Sequence, residues 1–128
     1  MDMNSWMYFV FAAFVALFLY VRFAPVKGLR TLKSEQFQAE LESADKPLLI
    51  DVREPAEFKA GHIPGARNVP LSQLQARIHE IPKDRKLLLY CRSGMRSKTA
   101  AKILLRHQYK ELAHLGGGIS AWRGRVSK

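Results

Sequence analysis

The stretch KLLLYCRSGMRS, residues 86–97, joins a buried strand to a loop that contains the single cysteine of the chain, Cys91. The four residues before the cysteine, LLLY, form an unbroken apolar run, which is typical of a strand buried on both faces of a sheet. A helix is predicted after the loop, as far as about His107. Ligands bind in α/β folds where the carboxyl end of a strand meets the start of a helix. This stretch therefore predicts both the fold class and the place of a functional site.

Strands and helices alternate on both sides of this stretch. The predicted elements are a helix capped by Ser34, a strand at 48–52, a short helix from Pro55 to Gly61, a turn at 62–66, a strand at 68–69, a helix opened by Pro70 with Leu71, Leu74 and Ile78 on one face, a strand at 111–115, a glycine turn at 116–118 and a helical turn at 119–122. Because the strands are apolar on both faces, the pattern predicts an α/β fold, a mainly parallel sheet flanked by helices.

Composition excludes several classes of protein. The chain has 128 residues, a formal net charge of +10 and 48% hydrophobic residues, which is too hydrophobic for a disordered chain of that charge. One cysteine excludes a disulfide-stapled scaffold and a multi-cysteine zinc or iron–sulfur site. His79, His107 and His114 have no partner cluster in the sequence, so neither a metal nor a cofactor is predicted. The basic residues are scattered and not interleaved with aromatic residues, so nucleic acid is not predicted as a partner.

An apolar segment occupies the N-terminus, where eight of the 13 aromatic residues lie within residues 1–26. Trp6 to Val21 is an unbroken apolar run of 16 residues, which as a helix spans about 24 Å of a hydrocarbon core of about 30 Å. Arg22 can snorkel to the headgroups, so the apolar residues after it lengthen the segment. A cleaved signal peptide would need a basic start and a small-residue cleavage site, and a buried helix is rarely apolar on every face. A transmembrane helix over 1–26 is therefore predicted.

Charge on either side of that helix predicts its orientation. Arg22, Lys27, Arg30 and Lys33 follow the apolar run, whereas no basic side chain precedes it. The positive-inside rule then places the N-terminus outside and the remainder in the cytoplasm. We expect a single-pass protein of the inner (plasma) membrane, with the lipid bilayer as one partner. The predicted parts are a transmembrane helix at 1–26, a basic linker at 27–33 and an α/β domain at 34–125.

The environment of Cys91 favours a reactive thiolate. A helix dipole and oriented loop N–H groups stabilise an anion at the start of a helix, and Arg92 and Arg96 add positive charge. Gly94 lets the backbone curl so that successive N–H groups converge on one point. The two serines of the loop can donate further hydrogen bonds. The alternative is an ordinary buried cysteine at the end of a strand, since free cysteine is among the most buried residue types.

Three segments of the chain resemble the signatures of rhodanese-like domains, in the order and spacing of that family. The first comprises LIDVRE at 49–54, EF at 57–58, GHIPGA at 61–66 and NVP at 68–70, the second is CRSGMRS at 91–97, and the third is LGGGI at 115–119 followed by Trp122. The resemblance covers about residues 30–125. Three matching segments make it specific, whereas any one of them alone would be weaker.

The resemblance implies sulfur transfer. In that family the cysteine takes a sulfane sulfur from a donor such as thiosulfate, becomes a persulfide, and passes the sulfur to cyanide in the assay or to a thiol or another protein in cells. A small anionic sulfur donor and an external thiol or protein acceptor are therefore expected. The implied site has Cys91 as the catalytic residue, Arg92, Ser93, Gly94, Met95, Arg96 and Ser97 as substrate-binding residues, and Asp51 and Arg53 as supporting residues.

Several roles and two alternative functions stay open. Asp51 and Arg53 end a strand that faces the same edge, where they either buttress the loop or act in catalysis. His62 is expected to bond to backbone within its turn, and Trp122 to lie in the core. A non-catalytic interaction module at the membrane is one alternative, although such modules commonly lose the cysteine. A phosphatase or arsenate reductase of this fold is the other, but it separates cysteine from arginine by five residues, whereas four separate them here.

Overall fold

An apolar helix begins the part of the chain that the structure describes. The computed structural model describes residues 4–128, so residues 1–3 of the predicted transmembrane segment lie outside the described residues. Within the described chain, helix α1 (Ser5–Phe23) buries none of its residues, and by length and composition it is able to cross a membrane. It ends ahead of Pro25 because the residue before a proline favours an extended conformation, and Ala24 has φ −62° and ψ 139°.

Five strands of the described chain form a parallel sheet in the order β1-β5-β4-β2-β3. The strands are β1 (Leu29–Leu32), β2 (Leu48–Asp51), β3 (Arg67–Asn68), β4 (Leu87–Tyr90) and β5 (Leu112–Leu115). In the centre, Leu89 lies opposite both Ile50 and His114. The mainly parallel α/β sheet predicted from the apolar runs is thus confirmed. Strand β4 is buried along its whole length and leads directly into the cysteine loop.

Strand β1 is the one element of the sheet that the sequence did not predict. It lies within residues 27–33, which were assigned to a basic linker, and it pairs with β5 through Leu29 opposite Leu112 and Thr31 opposite His114. As an edge strand it leaves its middle residues, Arg30 and Thr31, exposed to solvent. It therefore lacks the apolar run by which buried strands are found in a sequence.

Helices α2 (Ser34–Leu41), α3 (Pro55–Ala60) and α4 (Met95–Arg106) connect the strands where helices were predicted. Ser34 is not the cap of α2 but its first residue. The backbone N–H of Lys33 instead donates to the Gln36 side chain at 3.0 Å, while Ser34 Oγ accepts the backbone N–H of Arg123 at 3.0 Å. The serine thereby ties the start of α2 to the C-terminal segment.

The continuous helix predicted after Pro70 is wrong. Two single turns of 3₁₀-helix, Leu71–Gln73 and Ile78–Glu80, take its place. The buried Tyr109 hydroxyl donates to the carbonyls of Ile78 at 3.1 Å and Ile81 at 2.6 Å, so a tertiary partner takes the bonds that helical N–H groups would make. Leu74 is still buried in the core, and Leu71 and Ile78 pack against the same core partly buried.

Both faces of the sheet carry a hydrophobic core, because successive side chains of each strand point to opposite faces. One core joins alternate strand residues to α4, for example Leu89 to Leu104, and the other joins the remaining strand residues to Phe37 of α2. Trp122 packs on this second core edge-on to the Phe37 ring, with 6.0 Å between ring centroids, and is partly rather than fully buried. Strand β4 therefore lies between the two cores, and it leads into the cysteine loop.

Candidate active site

The cysteine loop is a sharp turn between β4 and α4. Strand β4 ends at Tyr90 and α4 begins at Met95, so the loop itself is residues 91–94, and Met95 to Ser97 form the first turn of the helix. Gly94 has φ 104° and ψ −11°, a left-handed conformation that side chains other than glycine rarely adopt. The turn directs the first N–H groups of α4 back toward Cys91.

The Cys91 sulfur lies inside this turn and is surrounded by hydrogen-bond donors. Its residue is 1% exposed. The Sγ atom accepts the backbone N–H of Gly94 at 3.0 Å and that of Ser97 at 3.4 Å, and it lies 3.7 Å from Ser97 Oγ. The start of a helix leaves its first N–H groups without helical partners and carries a partial positive charge. Backbone N–H groups in this arrangement can stabilise an anion that they contact.

Behind Ser97 lies a buried histidine that the sequence did not connect to the site. His114 Nδ1 is 2.7 Å from Ser97 Oγ, and His114 Nε2 is 3.0 Å from Thr31 Oγ1. Burial, with a smaller effect of the nearby Lys98 charge, lowers the pKa of His114 to about 4, so its ring is neutral at pH 7. Only the pairing of β1 with β5 brings Thr31 beside His114, and β1 was not predicted.

Arg96 is held by a carboxylate that the sequence did not single out. Its guanidinium makes a two-pronged contact with Glu57 of α3, at 2.6 Å and 2.9 Å. This hydrogen bonding raises the pKa of Arg96 and lowers the pKa of Glu57 to about 2. Arg92, by contrast, is exposed at the surface of the loop beside exposed Ser93, and Met95 is half-buried. Of these two arginines, Arg96 is thus fixed by an ion pair, whereas Arg92 is exposed to solvent.

Asp51 and Arg53 form a buried ion pair next to the loop. Arg53 Nη2 donates to Asp51 Oδ2 at 2.7 Å and to the carbonyl of Gly61 at 2.7 Å, and its guanidinium lies over the Tyr90 ring, 5.6 Å from the centroid. The Tyr90 hydroxyl in turn accepts the backbone N–H of Ile63 at 3.0 Å. The pair therefore fixes the turn after α3 against the end of β4.

His62 also bonds as expected for a residue of this turn. Its Nδ1 is 2.9 Å from the Phe58 carbonyl oxygen, and its ring stacks on the Phe58 ring with centroids 3.8 Å apart. Helix α3 thus engages the Nδ1 atom and one face of the His62 ring. Within residues 4–128, no group of three or more His, Cys, Asp or Glu side chains is placed to hold a metal ion.

The glycine turn of residues 116–118 supports the loop from outside. Gly118 has φ 62°, and a Cβ atom there would lie 2.4 Å from the carbonyl carbon and oxygen of Arg92 and 2.5 Å from the Cys91 oxygen. The following residues donate to the same carbonyls, Ile119 N–H to Cys91 O at 2.9 Å and Ser120 N–H to Arg92 O at 3.2 Å. The predicted turn is present, but its contact with the cysteine loop was not foreseen.

Comparison with known proteins places these features in a family. The family model described as "Rhodanese-like domain" matches residues 33–125. A protein called "Sulfurtransferase" from Allochromatium vinosum is 42% identical over 91 residues, which cover 71% of this chain and 85% of that protein. The uncharacterized protein YqhL of Bacillus subtilis is 42% identical over 117 residues, covering 91% of this chain and 90% of that protein.

Solved structures agree with the sequence relatives. The crystal structure of a rhodanese-related protein from Thermoplasma volcanium superposes with a TM-score of 0.69 at 26% identity, covering 77% of this chain and 97% of that one. The family model spans well over half of the chain, including every strand of the sheet except β1 and the whole cysteine loop. The chain therefore belongs to the family of rhodanese-like domains.

Proposed function

We propose that this protein is a membrane-anchored sulfurtransferase that carries a sulfane sulfur as a persulfide on Cys91. One observation carries the proposal: the Cys91 sulfur accepts two backbone N–H groups at the start of α4 in a buried turn. An inert structural cysteine has no need of such donors, whereas a sulfur that becomes negatively charged does. Relatives that carry the name sulfurtransferase support the same chemistry.

Loading is a displacement at sulfur. The Cys91 thiolate attacks the outer sulfur of thiosulfate, an S–S bond forms to Sγ, and the S–S bond of thiosulfate breaks with its electron pair leaving on sulfite. Positive charge at the loop favours approach of the dianion. In this proposal the exposed Arg92 captures the donor, while Arg96, whose charge is balanced by Glu57, fixes the first turn of α4 beside it.

Discharge returns the cysteine to its starting state. An acceptor thiolate attacks the outer sulfur of the persulfide, so a new persulfide forms on the acceptor and the electron pair of the broken bond returns to Cys91. Ser93, Gly94, Met95 and Ser97 complete the proposed substrate-binding loop, with their backbone as the cradle for the outer sulfur. Because the chain has one cysteine, the acceptor must be another molecule, a small thiol or a protein.

The anchor in this proposal is α1. None of its 19 residues is buried, which suits an apolar surrounding. The match with YqhL reaches into α1, because only 105 residues follow Phe23 while the match spans 117. Basic residues follow the helix on one side, so we propose an external N-terminus and a cytoplasmic domain in the inner membrane. Release of the protein by carbonate extraction of membranes would contradict the anchor.

Intact-mass measurement on the full chain in detergent tests the chemistry. Treatment with thiosulfate should add one sulfur atom, and cyanide or a thiol should then remove it. Cys91→Ser should gain no sulfur, since a hydroxyl is far less acidic than a thiol, and should melt within a few degrees of the wild-type protein. Because Cys91 is the only cysteine, no other thiol can account for the added sulfur. Unchanged mass of the wild-type protein would overturn the proposal.

A further inference from the structure

We infer that His114 is a positioning residue that sets the direction of the Ser97 hydroxyl proton and so controls a hydrogen bond to the Cys91 sulfur. The inference rests on the proposed sulfur-transfer function. Its basis is a continuous row of polar atoms: Thr31 Oγ1, the two ring nitrogens of His114, Ser97 Oγ and Cys91 Sγ, at successive separations of 3.0, 2.7 and 3.7 Å. Strand β1 supplies Thr31, β5 supplies His114 and α4 supplies Ser97, while Cys91 lies in the loop after β4.

The Ser97 hydroxyl has one proton and three acceptors within reach. These are the Gly94 carbonyl oxygen at 3.1 Å, His114 Nδ1 at 2.7 Å and Cys91 Sγ at 3.7 Å. All three are buried, so water does not compete for the proton. Whichever acceptor takes the proton determines whether the sulfur has a donor from this side chain.

The tautomer of His114 decides which of these three acceptors takes the Ser97 proton. The ring is 1% exposed and neutral, so it carries one N–H. With the proton on Nδ1, the ring donates to Ser97 Oγ, the hydroxyl proton is released toward Gly94 O or the sulfur, and Nε2 accepts from Thr31. With the proton on Nε2, the ring donates to Thr31, and Nδ1 draws the Ser97 proton away from the sulfur. An anionic sulfur therefore selects the Nδ1–H form.

Sulfur loading should thus be coupled to the histidine tautomer. A neutral Cys91 thiol can donate its own proton to Ser97 Oγ at 3.7 Å, and the serine then needs no orientation toward sulfur. Once the sulfur is a thiolate or a persulfide, the hydroxyl must turn to donate. Thr31 Oγ1 stabilises this state by donating to Nε2 from the outer edge of the sheet. The change of tautomer removes the proton from Nε2 and adds one at Nδ1 by exchange, so the ring carries one N–H before and after loading.

Three variants separate positioning from packing. His114→Asn places an amide at the former Nδ1 position and can still donate to Ser97, whereas His114→Gln places its amide at the former Nε2 position and can reach only Thr31. His114→Gln leaves no acceptor at the former Nδ1 position, so the Ser97 proton stays available to the sulfur, and we expect sulfur loading near the wild-type rate in both His114→Gln and His114→Asn. A loss of roughly tenfold, the cost of one hydrogen bond to a charged sulfur, is expected only where an unprotonated ring Nδ1 draws that proton away. A tenfold loss of rate in His114→Gln at an unchanged melting temperature would contradict the inference.

Thr31→Val keeps the inference testable if the variants of the buried histidine fail to fold. It lies on the exposed edge strand, keeps the β-branched shape, and removes the hydroxyl that pairs with Nε2 in either tautomer. We expect it to change the tautomer of the ring in the loaded protein, and the rate of sulfur loading with it, without lowering the melting temperature. Unchanged rates together with an unchanged tautomer in Thr31→Val would overturn the inference.

The deciding measurement is nuclear magnetic resonance of the full chain in detergent micelles, with ¹⁵N-labelled histidine, before and after thiosulfate. The signals of His114 are assigned by their loss in His114→Asn. We expect the ring nitrogens of loaded wild-type protein to show the Nδ1–H form, and the Nε2–H form there would refute the inference. Mass measurement on the same sample reports the added sulfur, so its absence counts against the proposed function itself.

Discussion

Gly118→Ala tests whether the glycine turn holds the cysteine loop in place. The residue has φ 62°, and the added methyl group would lie 2.4 Å from the backbone of Arg92, closer than a carbon atom can approach without displacing it. Since the neighbour is backbone rather than a flexible side chain, either the loop or the turn must move. The hydrogen bond from Ile119 N–H to Cys91 O, 2.9 Å long, lies on the path of that movement.

The expected magnitude has two parts. A left-handed conformation costs a residue other than glycine about 1–2 kcal/mol. Forcing a methyl group into packed surroundings adds about 1–3 kcal/mol. Gly118→Ala should therefore lower the free energy of unfolding by about 2–5 kcal/mol, a large part of the stability of a domain of this size. Gly65 provides the matched control, because it has φ 87° but no atom within 4 Å of the added Cβ. Gly65→Ala should therefore lose only the free energy that the left-handed conformation costs.

Thermal melts followed by circular dichroism, together with sulfur loading by thiosulfate, measure both effects. A change of 1 kcal/mol shifts the melting temperature of a domain of this size by about 4–8 °C. Gly118→Ala should therefore melt at least about 4 °C below Gly65→Ala. It should also load sulfur more slowly, since the carbonyls of Cys91 and Arg92 are displaced, while Gly65→Ala loads normally. Equal melting temperatures and equal loading rates in the two variants would refute the reasoning.

Three further predictions concern the charged groups around the loop. Asp51→Ala leaves the buried Arg53 without its carboxylate and should cost about 3–5 kcal/mol in a urea melt, whereas Asp45→Ala, which removes an exposed partner of Lys86, should cost less than about 1 kcal/mol. Similar losses in both would contradict a structural role for the buried pair. Hydrogen bonding to Arg96 lowers the pKa of Glu57 from 4.5 to about 2, so the stability from this pair is complete above pH 4.5 and is lost as the pH falls toward 2. The melting temperatures of wild type and Glu57→Gln should therefore converge over that range, and a constant gap would count against the pair. Arg92→Ala should slow loading by thiosulfate more than discharge to a neutral thiol, and added salt should reproduce part of this loss in the wild-type protein by screening the exposed charge; equal slowing of both steps would argue against donor capture by Arg92.

The sequence by itself determined the elements that are locally encoded. The short segments at 48–52, 86–90 and 111–115, of which the first two are mainly apolar, were sufficient to predict the buried strands and hence the parallel sheet. The position of Cys91 between a strand and a helix was likewise readable, because a strand, a glycine and a helix start follow one another within twelve residues. Such patterns depend on neighbours along the chain, which a sequence displays directly.

Only the tertiary structure decided which side chains meet the loop. Glu57 meets Arg96 across 39 residues, and Thr31 meets His114 across 83. Neither pairing has a local signature, since an exposed edge strand and a lone buried histidine look ordinary along the chain. The helix predicted after Pro70 failed for the same reason, because the Tyr109 hydroxyl, far along the chain, takes the carbonyls of Ile78 and Ile81. Contacts between distant residues depend on how the strands are ordered in the sheet, and that order exists only once the chain has folded.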